Sequence, residues 1–210
     1  MLLAHDEIID LLDREVVEYS EPELANSSSL DIRLGLEILV EDSLPGKVTL
    51  KDRTPLTMKS HHLVKKGPYL LRPGEFILAH SHEVFNLPNN ISASYSLKSS
   101  MARIGLEHLN AGWCDAGWNG SVLTLELKNM TRNHTIVLNY LDLIGQMCFF
   151  KHAPVSYQDS YACRGRYNKD KSVSGAKVHP STYRYLIINE QGDDVTQDLL
   201  DDQQKGDGNE

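Results

Sequence analysis

Apolar residues in this chain come in short runs that alternate with polar ones or stop at Gly, Pro or Asn, and this limits the available folds more than any other property. In VLTLELKN, Leu123, Leu125 and Leu127 fall on one face of an extended segment, and Thr124, Glu126 and Lys128 on the other. SSSLDIRLG repeats the pattern, with Leu30, Ile32 and Leu34 set against Asp31 and Arg33 before a stop at Gly35, and reads as a half-buried strand. Further apolar segments recur at residues 48–50, 69–71, 76–78, 135–138 and 144–150. One short helix is expected over residues 6–13, where Ile8, Ile9, Leu11 and Leu12 share a side and Asp6 sits near the start. Many short strands with few helices predict a mainly β domain, closed or sandwiched.

A chain of 210 residues is long enough for one domain with its own core, and 40% hydrophobic with 24% charged residues fits a folded soluble protein. No apolar run approaches the ~20 residues a membrane-spanning helix needs. The opening MLLAHDEIIDLL carries acids inside its apolar pattern and lacks the basic start of a secretory signal, so a cytoplasmic location with no membrane partner is expected. The net charge of −8 is unevenly spread: beyond residue 188 eight acids face one lysine, which leaves about −1 for the rest. We therefore expect a domain over residues 1–188 and an acidic, disordered tail over 189–210. No basic cluster with interleaved aromatics is present, which speaks against polymeric nucleic acid as a partner.

Cys114, Cys148 and Cys163 are odd in number and widely spaced, unlike a disulfide framework or a thiolate zinc site. His5 begins an HDE, half of the zinc deaminase signature, but the P-C-x-x-C partner is missing. Neither His61 with His62 nor His80 with His82 has a third ligand at suitable spacing, so no zinc is expected.

Three features could carry chemistry, each with an ordinary alternative. In SSMAR, Ser99 and Ser100 suit a helix start, where free backbone amides attract anions, and Arg103 one turn on could fork onto phosphate with Lys98 in front; otherwise this is a capped surface turn. Glu126 is either a solvated strand glutamate or, if its face lines a cavity, a carboxylate able to act as general acid and base. AGWCDAGWNG brings glycines, Trp113, Trp118 and Asp115 together, either as backbone, flat surface and acceptor for a sugar, or as a tight β connection.

Taken in order, SSSLDIRLG, LRPGEFILAH at 71–80, KSSMARIGL, AGWCDAGWNG, LTLELKN, IGQ at 144–146 and GRYN at 165–168 resemble the deoxycytidine triphosphate deaminase family, the deaminating branch of the trimeric deoxyuridine triphosphatase superfamily. The resemblance runs from residue 1 to about 180. It implies a β-clip or distorted jelly-roll fold, assembled as a homotrimer with sites between subunits. It also implies hydrolysis of dCTP to dUTP and ammonia without a metal at the reacting carbon, supplying dUMP for thymidylate synthesis.

Carried over by position, Glu126 is the catalytic carboxylate, Ser99 and the carbonyl of Ala111 hold its water, and Arg103 steadies Glu126 and the developing charge. Lys98 and Ser100 assist with phosphates, and Asp115 reads the 3′-hydroxyl. Thr124, Leu125 and Gln146 meet the base or its surroundings, and His108 stands near the site. Tyr157, or Tyr161 in a shifted alignment, and Arg166 belong to a segment that closes over the triphosphate. Mg²⁺ rides on the phosphates, and dUTP and dTTP are the related ligands.

Two departures carry structural expectations. The stretch from Gly120 to Glu126 is one residue long for the family and calls for a bulge, while Asp170 and Ser172 replace a glutamine and a glycine, setting an acid against lid closure. AGWCDAG is closer to a bifunctional subgroup that goes on to dUMP and pyrophosphate. A deoxynucleotide sensor without turnover is the remaining alternative.

Overall fold

The computed structural model of the chain describes residues 1–42, 46–48 and 56–177. It opens with α1 (His5–Asp13), which buries Ile8 and Leu11 and carries Asp6 and Glu7 in its first turn, where the helix dipole favours acids. Strands β1 (Val17–Glu18), β2 (Leu30–Arg33), β3 (Glu37–Glu41) and β4 (Met58–His62) precede the single turn α2 (Leu63–Lys66). Then come β5 (Tyr69–Leu71), β6 (Phe76–Asn86), β7 (Ile91–Leu97) and α3 (Ser99–Arg103). The remainder is β8 (Leu106–His108), β9 (Trp113–Cys114), β10 (Asn119–Asn129), β11 (Ile136–Leu138), β12 (Leu143–Lys151) and α4 (Tyr161–Arg164).

Among the described residues the strands form three antiparallel sheets. One runs β4-β3-β6-β10-β8 with β1 also on β6, one runs β2-β12-β7-β9, and β11 pairs with β5. Side chains from both larger sheets, among them Ile32, Ile38, Ile77, Phe85, Leu125, Leu127 and Phe149, meet in one apolar cluster, the dominant favourable term for such a fold. Trp118 stacks on Phe85 in this cluster, with ring centroids 5.4 Å apart.

The alternation in VLTLELKN is realised: Leu123, Leu125 and Leu127 are buried, while Thr124, Glu126 and Lys128 are half-buried. Expected strands at 69–71, 76–78 and 144–150 fall within β5, β6 and β12, and that at 135–138 forms β11 except for its first residue. Of the expected strand at 48–50, residues 49 and 50 lie outside the described residues, as do the boundary at 188 and the acidic tail. No helix of the described residues is long and apolar enough to cross a membrane.

SSSLDIRLG corrects the sequence reading. It forms β2, but all four of its residues are buried, so Asp31 and Arg33 do not face water. Their charges are answered inside the protein. Arg33 donates from Nε to Glu83 Oε1 at 2.8 Å and from its backbone N–H to Glu83 Oε2 at 3.0 Å, while Nη1 reaches Glu21 at 2.8 Å and Nη2 the carbonyl of Tyr19. Burial alone would lower the Arg33 pKa, but Glu83 and Glu21 outweigh it and hold the guanidinium charged. Burial pushes the fully enclosed Glu83 carboxyl up against the pull of Arg33. We take the pair as ionised, because Arg33 meets both carboxylate oxygens with N–H donors.

His80 is a buried structural residue. Its Nδ1 lies 2.7 Å from the Ser81 carbonyl, and its Nε2 accepts the Glu37 N–H at 3.2 Å, a pattern that requires the neutral ring with its proton on Nδ1. Gly35 makes room for it, since a Cβ there would collide with the imidazole. Burial lowers the His80 pKa against the opposing effects of the Ser81 carbonyl and Glu37. The folded value therefore lies below the unfolded value of about 6.5, and as pH falls the unfolded chain takes up the proton first. Stability contributed by the neutral ring is present above about 6.5 and is lost as pH drops below it, by up to about 1.4 kcal/mol per pH unit. Urea unfolding between pH 8 and 5 is expected to show this loss, with a shallower acid-side slope in His80→Asn; an unchanged slope would rule His80 out.

Candidate active site

Glu126 projects from the half-buried face of β10, opposite Leu78 of β6. The bulge expected from the extra residue is present: the β10–β6 register slips between Asn119 and Ser121 and again between Val122 and Thr124, just before the carboxylate. On the other edge of β10, Leu127 pairs with His108, and the Leu109 N–H donates to the Glu126 carbonyl at 3.1 Å. This places the His108 ring beside the carboxylate, Nε2 to Oε2 at 3.2 Å. The pair is close but poorly aligned for a hydrogen bond, so both atoms are buried without a partner. With Oε2 enclosed, the 25% exposure of the Glu126 side chain belongs to its other atoms.

Tyr95, which the sequence did not single out, completes this cluster. Its ring meets His108 edge-on with centroids 4.8 Å apart, and its buried hydroxyl also lacks a partner. The signal available in ISASYSL was a phenol on the same strand face as Ile91 and Ala93, a polar tip aimed into the core.

The serines of SSMAR open α3 but do not cap it. Lys98 is the N-cap residue and no side chain accepts from the helix end, so the expected serine cap is absent. Ser99, Ser100 and Arg103 are exposed, and among the described residues their side chains make no hydrogen bond or ion pair. Arg103 thus makes no hydrogen bond or ion pair with Glu126 within one chain; it lines an open depression of 570 Å³ with Ile104, Thr131 and His134. Lys98 is not a free charge either, since its ammonium is paired with Asp31. Asp31 Oδ1 also accepts from Gln146 Nε2 at 3.3 Å and from Asn26 at 2.8 Å. Asp31, a second residue the sequence reading passed over as an exposed strand acid, therefore joins two predicted site residues.

Ala111 is exposed, and Gly112 behind it is required by packing, because a Cβ there would strike the Tyr95 carbonyl. Trp113 is 60% exposed and donates from Nε1 to Asp115 Oδ1 at 2.8 Å, so this tryptophan is not a core residue. Burial, aided by the Asp115 charge, pushes the Cys114 thiol up to about 12, leaving it inert as a nucleophile. Leu125 is fully buried, so only its backbone can reach a ligand. The cause is the strand period that turns its neighbours Thr124 and Glu126 outward.

In the C-terminal segment Tyr157 is 71% exposed, whereas Tyr161 packs against the core and its hydroxyl accepts the Tyr167 N–H at 3.3 Å, which favours Tyr157 as the free tyrosine. Residues 167–170 fasten to the start of β10: Trp118 Nε1 donates to the Tyr167 carbonyl at 3.0 Å and the Val122 N–H to that of Asp170 at 2.9 Å. The charge of Asp170 is met by Lys177 at 2.6 Å, a neighbour the sequence did not reveal. Arg166 donates to the Lys177 carbonyl at 3.3 Å. Among the described residues no group of three or more His, Cys, Asp or Glu side chains is arranged to hold a metal ion.

A sequence profile described as dCTP deaminase-like matches residues 2–152. A Nanoarchaeum equitans protein named dCTP deaminase, dUMP-forming, is 34% identical over 196 residues, covering 85% of this chain and 98% of its own. One of the same name from Methanosphaerula palustris is 38% identical over 156 residues, covering 71% and 81% respectively. Among solved structures, the 2′-deoxycytidine 5′-triphosphate deaminase of Agrobacterium tumefaciens shares the fold with a TM-score of 0.57 at 24% identity. That alignment covers 70% of this chain and about half, 48%, of the solved one.

Proposed function

Because this chain belongs to the dCTP deaminase-like family, we propose that it hydrolyses dCTP to dUTP and ammonia and then cleaves dUTP to dUMP and pyrophosphate. The observation that carries the first step is the Glu126 carboxylate, with one oxygen buried against His108 and the remainder of the side chain open on a half-buried strand face. A carboxylate so held can take a proton from a water that attacks C4 of cytosine, pass it to the ring nitrogen, and deliver a proton to the amine that leaves. One water is consumed and one ammonia released. Ser99 and the Ala111 carbonyl hold that water, and Arg103 steadies the charge that develops. Asp115, oriented by Trp113, receives the 3′-hydroxyl. Thr124, Gln146 and the backbone of Leu125 border the base.

Ser99, Ser100, Arg103 and Ala111 are exposed, and no side-chain hydrogen bond or ion pair joins them to Glu126 among the described residues. We therefore place the working site between protomers of a homotrimer, where one chain's α3 can meet another's β10. Mg²⁺ enters on the substrate as Mg–dCTP, its preference for oxygen ligands met by the phosphates. Tyr157 and Arg166 lie in the segment assigned to closure, and the Asp170–Lys177 pair removes the unfavourable acid that the sequence set against it.

The second step is supported by the dUMP-forming names of the relatives and by the aromatic Trp113 in AGWCDAG. It breaks the bond between the α and β phosphates with a second water, and its product is the precursor for thymidylate. Incubating the full chain with dCTP and Mg²⁺ is expected to yield ammonia together with dUMP and pyrophosphate, from a particle of three times the 23.6 kDa chain mass. Accumulation of dUTP would restrict the activity to deamination. Tight dCTP binding without ammonia would make the protein a nucleotide sensor.

A further inference from the structure

The helix α3 has only five residues, too few to persist without support, so the contacts at its two ends decide where the backbone of Ser99 and Arg103 sits. Its start is fastened through Lys98, whose N–H donates to the Ile144 carbonyl at 3.1 Å and whose ammonium pairs with Asp31. Met101 in the middle packs against the core. The end that carries Arg103 has a separate anchor in the loop leaving β10.

The Met130 N–H donates to the Gly105 carbonyl at 2.8 Å. Gly105 follows the C-cap residue Ile104 and, at φ +87°, turns the chain out of the helix in a conformation that favours glycine. The Thr131 methyl covers it, since a Cβ on Gly105 would strike that methyl. Thr131 and Arg103 also line the same open depression.

Thr131 is itself tightly held. Its N–H donates to Asn129 Oδ1 at 2.9 Å, its hydroxyl donates to the His134 carbonyl at 2.6 Å, and the same oxygen accepts the His134 N–H at 3.3 Å. Asn129 is fully buried at the end of β10, and its Nδ2 donates to the carbonyls of Leu71 at 2.9 Å and His134 at 2.8 Å. One enclosed carboxamide with all its polar atoms satisfied thus ties the loop to β5 and fixes the threonine.

We propose that Thr131, locked by Asn129, is a positioning residue for Arg103: it holds the C-terminal end of α3, so that the arginine reaches the substrate from a fixed backbone. The role in turnover rests on the assignment of Arg103 above, whereas the anchoring of α3 does not depend on turnover.

Thr131→Ala removes the methyl and the hydroxyl from a half-buried position and leaves the core intact. In the nucleotide-free full chain, amide hydrogen exchange followed by NMR is expected to be about tenfold faster at Gly105 and Met130 in Thr131→Ala than in the parent, with the amides of β2 unchanged. In turnover kcat falls about fivefold and KM stays within about twofold. On the residual turnover of Arg103→Ala the same change costs less than about twofold, because its effect runs through the arginine. Unchanged exchange at Gly105 and Met130 would overturn the proposal whether or not the parent releases ammonia. An equal loss of turnover with and without Arg103 would also overturn it, since a purely structural contact behaves that way. Faster exchange in a parent that releases no ammonia would uphold the anchoring and defeat the deaminase reading alone.

Discussion

Glu126→Gln is expected to lower ammonia release from dCTP by about a thousandfold or more, within the range that general acid–base groups supply. Glutamine keeps the shape of the side chain and an oxygen to face His108, so the β10–β8 edge and the nucleotide contacts survive. What it cannot do is accept a proton from water and return one to the leaving amine. Binding of dCTP, followed by calorimetry, therefore persists while turnover stops. More than a few per cent of parental turnover would show that another group moves the proton. Glu126→Asp should retain a small part of the rate, because its carboxylate is the right acid set back from the reacting carbon by one methylene.

Loss of Glu83 is expected to have the largest effect on stability. Glu83→Ala leaves the Arg33 guanidinium, whose side chain is only 10% exposed, with the more exposed Glu21 as its one remaining carboxylate partner among the described residues. Stranding one member of a buried ion pair costs about 3–5 kcal/mol, which corresponds to a fall of roughly 10 °C in Tm for a chain of this size. The cost comes from the uncompensated charge rather than from a strong attraction. Replacing both partners with apolar residues, Arg33→Met with Glu83→Leu, should accordingly recover most of the loss. A double variant as unstable as Glu83→Ala would mean that the hydrogen bonds, not the stranded charge, set the penalty.

The sequence made the extended segments legible because their inward leucines and isoleucines alternate at the period of a strand, as in β10. β7 was hidden: in ISASYSL small and polar residues separate the inward Ile91, Ala93 and Tyr95, and too few large apolar side chains mark the period. β2 was found but turned wrongly to water, because the partners of Arg33 and Asp31 are supplied by β6 and by Lys98, 50 and 67 residues away in sequence. Alternation alone cannot report such neighbours.

The same limit applies to the site. That Thr124 and Glu126 share a face could be read locally, whereas the bulge before them was expected only from a spacing one residue long for the resembled family. That the face closes against His108 and Tyr95 required β8 and β7 to be placed, and those strands meet β10 and Gly112 only in the folded chain. Asp170 illustrates the point on a shorter scale: its charge looked unfavourable until an irregular segment brought Lys177 back to it.

The most direct measurement is a crystal structure of the Glu126→Gln protein with Mg–dCTP bound. The account predicts a trimer in which the amino edge of cytosine lies within hydrogen-bond reach of the side chain at position 126. Ser99 or Arg103 of one protomer would face that base across the interface, and Asp115 would meet the 3′-hydroxyl. A nucleotide seated away from β10, or a side chain at 126 directed into solvent beside an occupied site, would contradict it.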